Sequence, residues 1–194
     1  MHRRIIISAA VSLILGFCIT ASLAYWNDEG NRLSFTDHEE REPRCVDAGG
    51  GNAIVAWIDK DINATDDRID GVRVQRIDRR GDTRWGFNGI KLNPDFECSI
   101  DQVEAVTDGR GGAIVAWVIS YSHNPDIYIQ RVTHEGDTVW ATPVAATSFS
   151  ENNIRLCEDG TGGAFVTWSD NRTGSTELYT QRFDADGNNS FSYG

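Results

Sequence analysis

The residues best suited to chemistry lie in one short acidic stretch, Asp59-Lys60-Asp61-Ile62-Asn63, with Asp66 and Asp67 close behind. Oxygen ligands two residues apart converge on a hard cation, and D-x-D-x-N opens calcium loops. Asp59, Asp61, Asn63, Asp66 and Asp67 are therefore the candidate metal ligands, with calcium as the ion. The fit is partial: Ala64 stands where such loops place a glycine, and Asp70 where they place a bidentate glutamate. A solvated acidic loop is the plain alternative.

Catalytic signatures are absent. The histidines beyond the N-terminus, His38, His123 and His134, have no motif partner, and there is no G-x-S-x-G, H-E-x-x-H or P-loop. A carboxylate pair for glycoside hydrolysis is a matter of separation in space, so a hydrolase using loop carboxylates stands as the alternative to a non-enzymatic reading. Cys45, Cys98 and Cys157 form no CxxC or Cys/His cluster. Three thiols allow at most one internal bridge, and a zinc site is disfavoured.

The formal net charge is −11. Residues 1–24 carry Arg3 and Arg4 and no acid, which leaves −13 for the rest. That sign argues against nucleic acid and against an anionic membrane surface. It favours cations or basic partners, or serves only solubility. Residues 1–24 have the form of a signal peptide: a basic start, an apolar run from Ile5 to about Thr20, and small residues at Ala21-Ser22-Leu23-Ala24. The run also suits an uncleaved anchor. Either way the chain is expected outside the cytoplasm, secreted or at the cell surface.

The elements that must position these residues occur three times. Asn52-Ala53-Ile54-Val55-Ala56-Trp57 is followed by Val72-Arg73-Val74-Gln75-Arg76. Gly111-Gly112-Ala113-Ile114-Val115-Ala116-Trp117 is followed by Ile127-Tyr128-Ile129-Gln130-Arg131, and Gly163-Ala164-Phe165-Val166-Thr167-Trp168 by Leu178-Tyr179-Thr180-Gln181-Arg182. Each Gln is followed ten residues later by an aromatic: Trp85, Trp140 or Phe191. Counted from these aromatics, the units run 26–84, 85–139 and 140–190. Each reads as four short strands: one after the aromatic, one before the Gly-rich turn, then the Ala-Ile-Val-Ala-Trp run and the Gln-Arg run. No window holds a helical period, so almost no helix is expected after residue 24. The third strand is continuously apolar, which signals burial on both faces of its sheet. Four-stranded antiparallel sheets recurring every 50 to 60 residues predict an all-β chain of blade-like units, a partial, open β-propeller over 25–194. A β-sandwich is the alternative, but it leaves the repetition unexplained.

Gly-Gly-Ala-Ile-Val-Ala-Trp, Asp-Ile-Tyr-x-Gln-Arg and Gly-Asp-Thr-x-Trp together resemble the tandem propeller-like repeats of large secreted bacterial surface proteins. The resemblance spans nearly all of 26–191 and implies a blade array; it implies no activity. Asp78-Arg79-Arg80-Gly81-Asp82-Thr83-Arg84-Trp85 also resembles the Asp-box turn of sialidases, with one residue too many, and Thr133 replaces the Asp in the second unit. It reads as a hairpin turn.

Positions shared by all three units read as architecture. If buried, the Gln-Arg pairs must be hydrogen-bonded or ion-paired, and the three tryptophans are expected to pack between sheets. Strand order puts the Gly-rich turns at one end and the longer, unlike connections at the other: 34–43, 58–71, 93–103, 118–126, 146–153 and 169–177. Those connections hold 16 acids and four Lys or Arg, so one acidic end is expected to carry function. The expected role is a binding or display module whose partner is a protein or carbohydrate at the cell surface. Three units are fewer than closed propellers use, and the strand Ala164–Trp168 looks no more polar than its counterparts. That leaves two outcomes: a chain cut from a longer array, or self-association through open faces.

Overall fold

The computed structural model describes residues 26–60, 70–92, 98–121 and 124–189. Residues 1–24, read above as an export signal, lie outside them, as do Asp61, Asn63, Asp66 and Asp67. Among the described residues no helix is long and apolar enough to cross a membrane.

The described chain is all-β and makes three antiparallel meanders. Sheet one contains β1 (Glu39–Asp47), β2 (Ala53–Lys60), β3 (Asp70–Ile77) and β4 (Ile90–Lys91). Sheet two contains β5 (Ser99–Thr107), β6 (Ala113–Tyr121), β7 (Asn124–Val132) and β8 (Thr138–Ala145). Sheet three has three strands, β9 (Glu151–Glu158), β10 (Ala164–Asp170) and β11 (Glu177–Phe183). None is closed on itself.

The sheets are cut one strand later than the sequence units. The strand after Trp85 completes sheet one, with Ile90 opposite Val74 and Lys91 opposite Arg73. Likewise β8, which contains Trp140, completes sheet two beside β7. The stretch Arg32–Phe35, expected as the strand after Trp26, forms no strand with the described residues.

Alternation on β6 shows why its sequence is apolar throughout. Ala113, Val115, Trp117 and Ile119 pack with Ile54, Ala56, Ile58, Val72 and Val74 of sheet one. Ile114, Ala116 and Val118 pack on the opposite side, with Ile154, Ala164, Val166 and Trp168 of sheet three. Successive strand residues point to opposite faces, so a sheet buried twice needs no polar position.

The outer sheets behave differently. Val55, Trp57 and Ile77 of sheet one turn away from sheet two and are covered by Leu33. Phe165, Thr167 and Leu178 of sheet three turn away from sheet two toward solvent; Leu178 is 77 % exposed. In register, Phe165, Thr167, Ser169, Leu178 and Thr180 stand where sheet two has Ile114, Ala116, Val118, Ile127 and Ile129. Three of five apolar positions have become hydroxyls, and Thr167 Oγ1 meets Thr180 Oγ1 across the strands at 3.3 Å. The expectation of an equally apolar third unit is therefore corrected. Its polar residues alternate with buried Val166 and Trp168, so the strand as a whole looks apolar while one face does not.

One contact recurs along the chain. Trp26, Trp85 and Trp140 donate their indole N–H to the carbonyls of Arg79, His134 and Ala185, at 3.2, 3.2 and 3.1 Å. Each ring covers a glycine of the same turn, Gly81, Gly136 or Gly187. A Cβ on Gly187, whose φ is +82°, would lie 2.5 Å from Trp140 Cδ2. These glycines are required by the approach of the ring as well as by their left-handed backbone.

Candidate functional site

The end of the sheets opposite the Gly-rich turns was expected to be an acidic loop surface. Much of it is strand, and four of its acids are inside. β6 and β7 run to Tyr121 and from Asn124, which absorbs most of 118–126, and β1 begins within 34–43. Asp59, Asp70, Glu151 and Asp170 are each less than 5 % exposed.

Buried carboxylates need partners, and three accept a hydrogen bond from an arginine. Asp59 accepts Arg73 Nε and lies 2.9 Å from His38 Nδ1. Of the five candidate calcium ligands it alone is described, and its carboxylate is engaged by an arginine. Among the described residues no group of three or more metal-ligating side chains gathers. Asp70 accepts the Ile100 N–H at 2.9 Å and faces Arg41 Nη2 at 3.4 Å. Burial raises its pKa against these stabilising contacts. Asp170 accepts the backbone N–H of Arg172 at 2.8 Å and its Nε at 2.7 Å. Burial opposes ionisation there, but the arginine outweighs it and holds the carboxyl low.

Glu151 is the exception. It stands directly opposite Asp170 across β9 and β10. One carboxyl oxygen meets the Thr147 hydroxyl, and Oε2 is buried without a partner. Burial pushes its pKa up, and the nearby Asp170 and Asp126 push the same way. Two adjacent carboxyl groups are thus driven apart in acidity, one toward the acid form and one toward the anion.

Beside this pair lies a recess of about 510 Å³ between sheet three and the 144–147 segment. Trp168 and Tyr179 form its aromatic wall, with ring centroids 6.0 Å apart. The Arg172 guanidinium sits 4.2 Å over the Tyr179 ring. β11 runs along the recess as the outermost strand of its sheet, so its outward amides and carbonyls meet no further named strand. Nothing in the spacing of Thr147, Glu151, Arg172 and Tyr179 singled them out, because two separate connections and strand β11 bring them together.

The Gly-rich end is built for stability. Arg131 Nε and Nη2 donate to Asp108 Oδ2 at 3.0 and 2.9 Å, and Arg182 does the same to Asp159 at 3.0 and 2.7 Å. Arg131 Nη1 also reaches the Ala185 carbonyl of the next turn at 3.1 Å. Gln75 accepts the Trp85 N–H and donates to the Gly86 carbonyl, both at 2.8 Å. The recurrent Arg131, Arg182 and Gln75 are thus held within the fold. Cys45, Cys98 and Cys157 are not joined to one another by a disulfide.

No protein-family description matches this chain, and no curated protein matches it.

Proposed function

We propose that this chain is an extracytoplasmic binding module whose three sheets are consecutive blades of an open propeller, of the kind found in tandem repeats of secreted bacterial surface proteins. The observation that carries the reading is the recess walled by Trp168, Tyr179 and Arg172 along β11, the edge strand of its described sheet. An aromatic wall with a fixed cation suits a sugar ring or a side chain, and an edge strand suits an extended protein segment, which adds to a sheet edge through main-chain hydrogen bonds. The partner is a protein or carbohydrate at the cell surface, and the edge favours the protein. The test is titration of the purified chain with panels of extended peptides and oligosaccharides, monitored by tryptophan fluorescence. A ligand should be found whose Kd rises at least about tenfold in both Arg172→Ala and Tyr179→Ala. No binding across both panels, or binding indifferent to the two variants, sinks the reading.

A second reading, a glycosidase-like hydrolase, draws on Glu151 and Asp170, whose opposed acidities suit an acid and an anionic carboxylate. Turnover of a glycoside that disappears in both Glu151→Gln and Asp170→Asn would replace the first reading with the second.

A further inference from the structure

The two outer faces of the chain are the two halves of an interface that the chain already contains twice. On the leading side of each sheet, Val55 and Trp57 hold the same register as Val115 and Trp117 and as Val166 and Trp168. In sheets two and three these leading residues pack against the preceding sheet. On the trailing side, Phe165, Leu178 and Thr180 hold the register of Ile114, Ile127 and Ile129, which pack against the following sheet.

Among the described residues the trailing half is open, while the leading half is covered by Leu33, under which Val55 and Trp57 are 9 % and 3 % exposed. A recess of about 190 Å³ remains at the leading face, lined by Leu33, Pro43, Val55 and Trp57 together with Arg32, Glu40 and Arg41. On the other side Leu178 and Phe165 project, 77 % and 39 % exposed. A recess at the leading face and apolar knobs at the trailing face complement each other. Two leading faces, or two trailing faces, do not.

We propose that a second copy of this chain docks head to tail, the Phe165 and Leu178 face of one protomer seated on the Leu33, Val55 and Trp57 face of its partner. The inference extends the blade reading of the sheets but does not depend on the recess beside β11. Such contacts are heterologous: they close into a ring or grow into a filament. Two copies bring six sheets together, within the range of about four to eight blades in closed propellers. Thr167 and Thr180 make the trailing face tolerable to water, so the assembly is reversible and depends on concentration.

Sedimentation velocity on the purified chain from low to high micromolar concentration tests this. A concentration-dependent shift from monomer to dimer is expected. Leu178→Asp, at an exposed site that leaves the core alone, should abolish association, and so should Pro43→Asp at the opposite face. Neither variant should self-associate, yet an equimolar mixture should form a heterodimer, because each retains the half that the other has lost. Circular dichroism matching the unchanged chain shows that both variants fold. Should Pro43→Asp leave the fold damaged, Leu33→Asp serves as the second leading-face variant. A monomer at every concentration overturns the proposal. Loss of association in Leu178→Asp alone, with no rescue on mixing, indicates a symmetric contact and overturns it too.

Discussion

Arg131 grips Asp108 with two nitrogens on one carboxylate oxygen, at 3.0 and 2.9 Å, and sheet one lacks this bridge. Its arginine is Arg76, whose Nε is buried without a partner, and Ala48 stands in the aspartate's place. The glycine four residues later changes with it: a Cβ on Gly112 would come within 2.6 Å of Asp108 Oδ2, whereas sheet one carries Asn52 there. Acid and glycine therefore go together. Asp108→Ala should cost about 3–5 kcal/mol, since it leaves a buried guanidinium unpaired. Ala48→Asp alone should destabilise, and Ala48→Asp with Asn52→Gly should recover at least about 1 kcal/mol of coupling in a double-mutant cycle. Additive effects in urea unfolding would count against the pairing.

Glu151 and Asp159 should shape the pH dependence of stability in opposite directions. Burial raises the Glu151 pKa in the fold above its unfolded value near about 4.3. The native state therefore holds a proton longer, and stability falls as pH rises above about 4.3. Burial also opposes ionisation of Asp159, but the Thr161 and Gly163 N–H groups and Arg182 hold its carboxyl well below the usual range. Its contribution is complete above the unfolded value of about 3.9 and is lost as pH falls below that. Glu151→Gln should raise Tm at pH 8 and leave it unchanged at pH 4. Asp159→Asn should lower Tm at pH 7, by an amount that shrinks progressively as pH falls below about 3.9. A Glu151→Gln chain that melts lower at pH 8 refutes the first half.

These features differ in how well the sequence displays them. The apolar run Ala113–Trp117 announces burial on both faces because every residue in it meets a neighbouring sheet. The turns are legible because Gly81, Gly136 and Gly187 need a left-handed backbone. The offset of sheets from units was hidden, since hydrogen bonding assigns Ile90–Lys91 to the sheet before it while the spacing groups it with the second unit. The interior acids were hidden as well. Asp59 and Asp170 look like loop charges until Arg73 and Arg172 are seen beside them. Arg73 lies in the next strand, and Arg172 returns from the following turn. Neither pairing leaves a mark in sequence spacing.

The cysteines separate by exposure. Cys45 and Cys157 lie on the first strands of sheets one and three, both exposed, while Cys98 is fully buried. Reaction follows access to the thiolate. Brief alkylation of the native chain followed by peptide mass spectrometry should modify Cys45 and Cys157 and spare Cys98, which reacts only in denaturant. A Cys45–Cys157 disulfide, or rapid labelling of Cys98, contradicts the structure.

The recurrent tryptophan contact should be worth a different amount at each place. Trp85 is 7 % exposed, and its ring covers Gly136 beside Ile90 within the packing between sheets one and two. Trp140 is half-buried against Phe183, with centroids 6.4 Å apart. Trp26 makes the same indole bond to a turn carbonyl yet is 55 % exposed. The hydrogen bond is common to all three, so any difference in cost comes from apolar area and the cavity left behind. Trp85→Ala should cost about 3–5 kcal/mol, as large-to-small core changes do. Trp140→Ala should cost less, and Trp26→Ala under about 1 kcal/mol. Gly187→Ala supplies the converse, because its Cβ would push Trp140 out while the glycine remains the better residue at φ +82°. It should destabilise at least as much as Trp140→Ala, and the two together should be less than additive, since the clash vanishes once the ring is gone. Urea denaturation of the four single variants and the one double variant reads all of these. Equal costs at Trp26 and Trp85 would show that the indole bond, not burial, holds these turns in place.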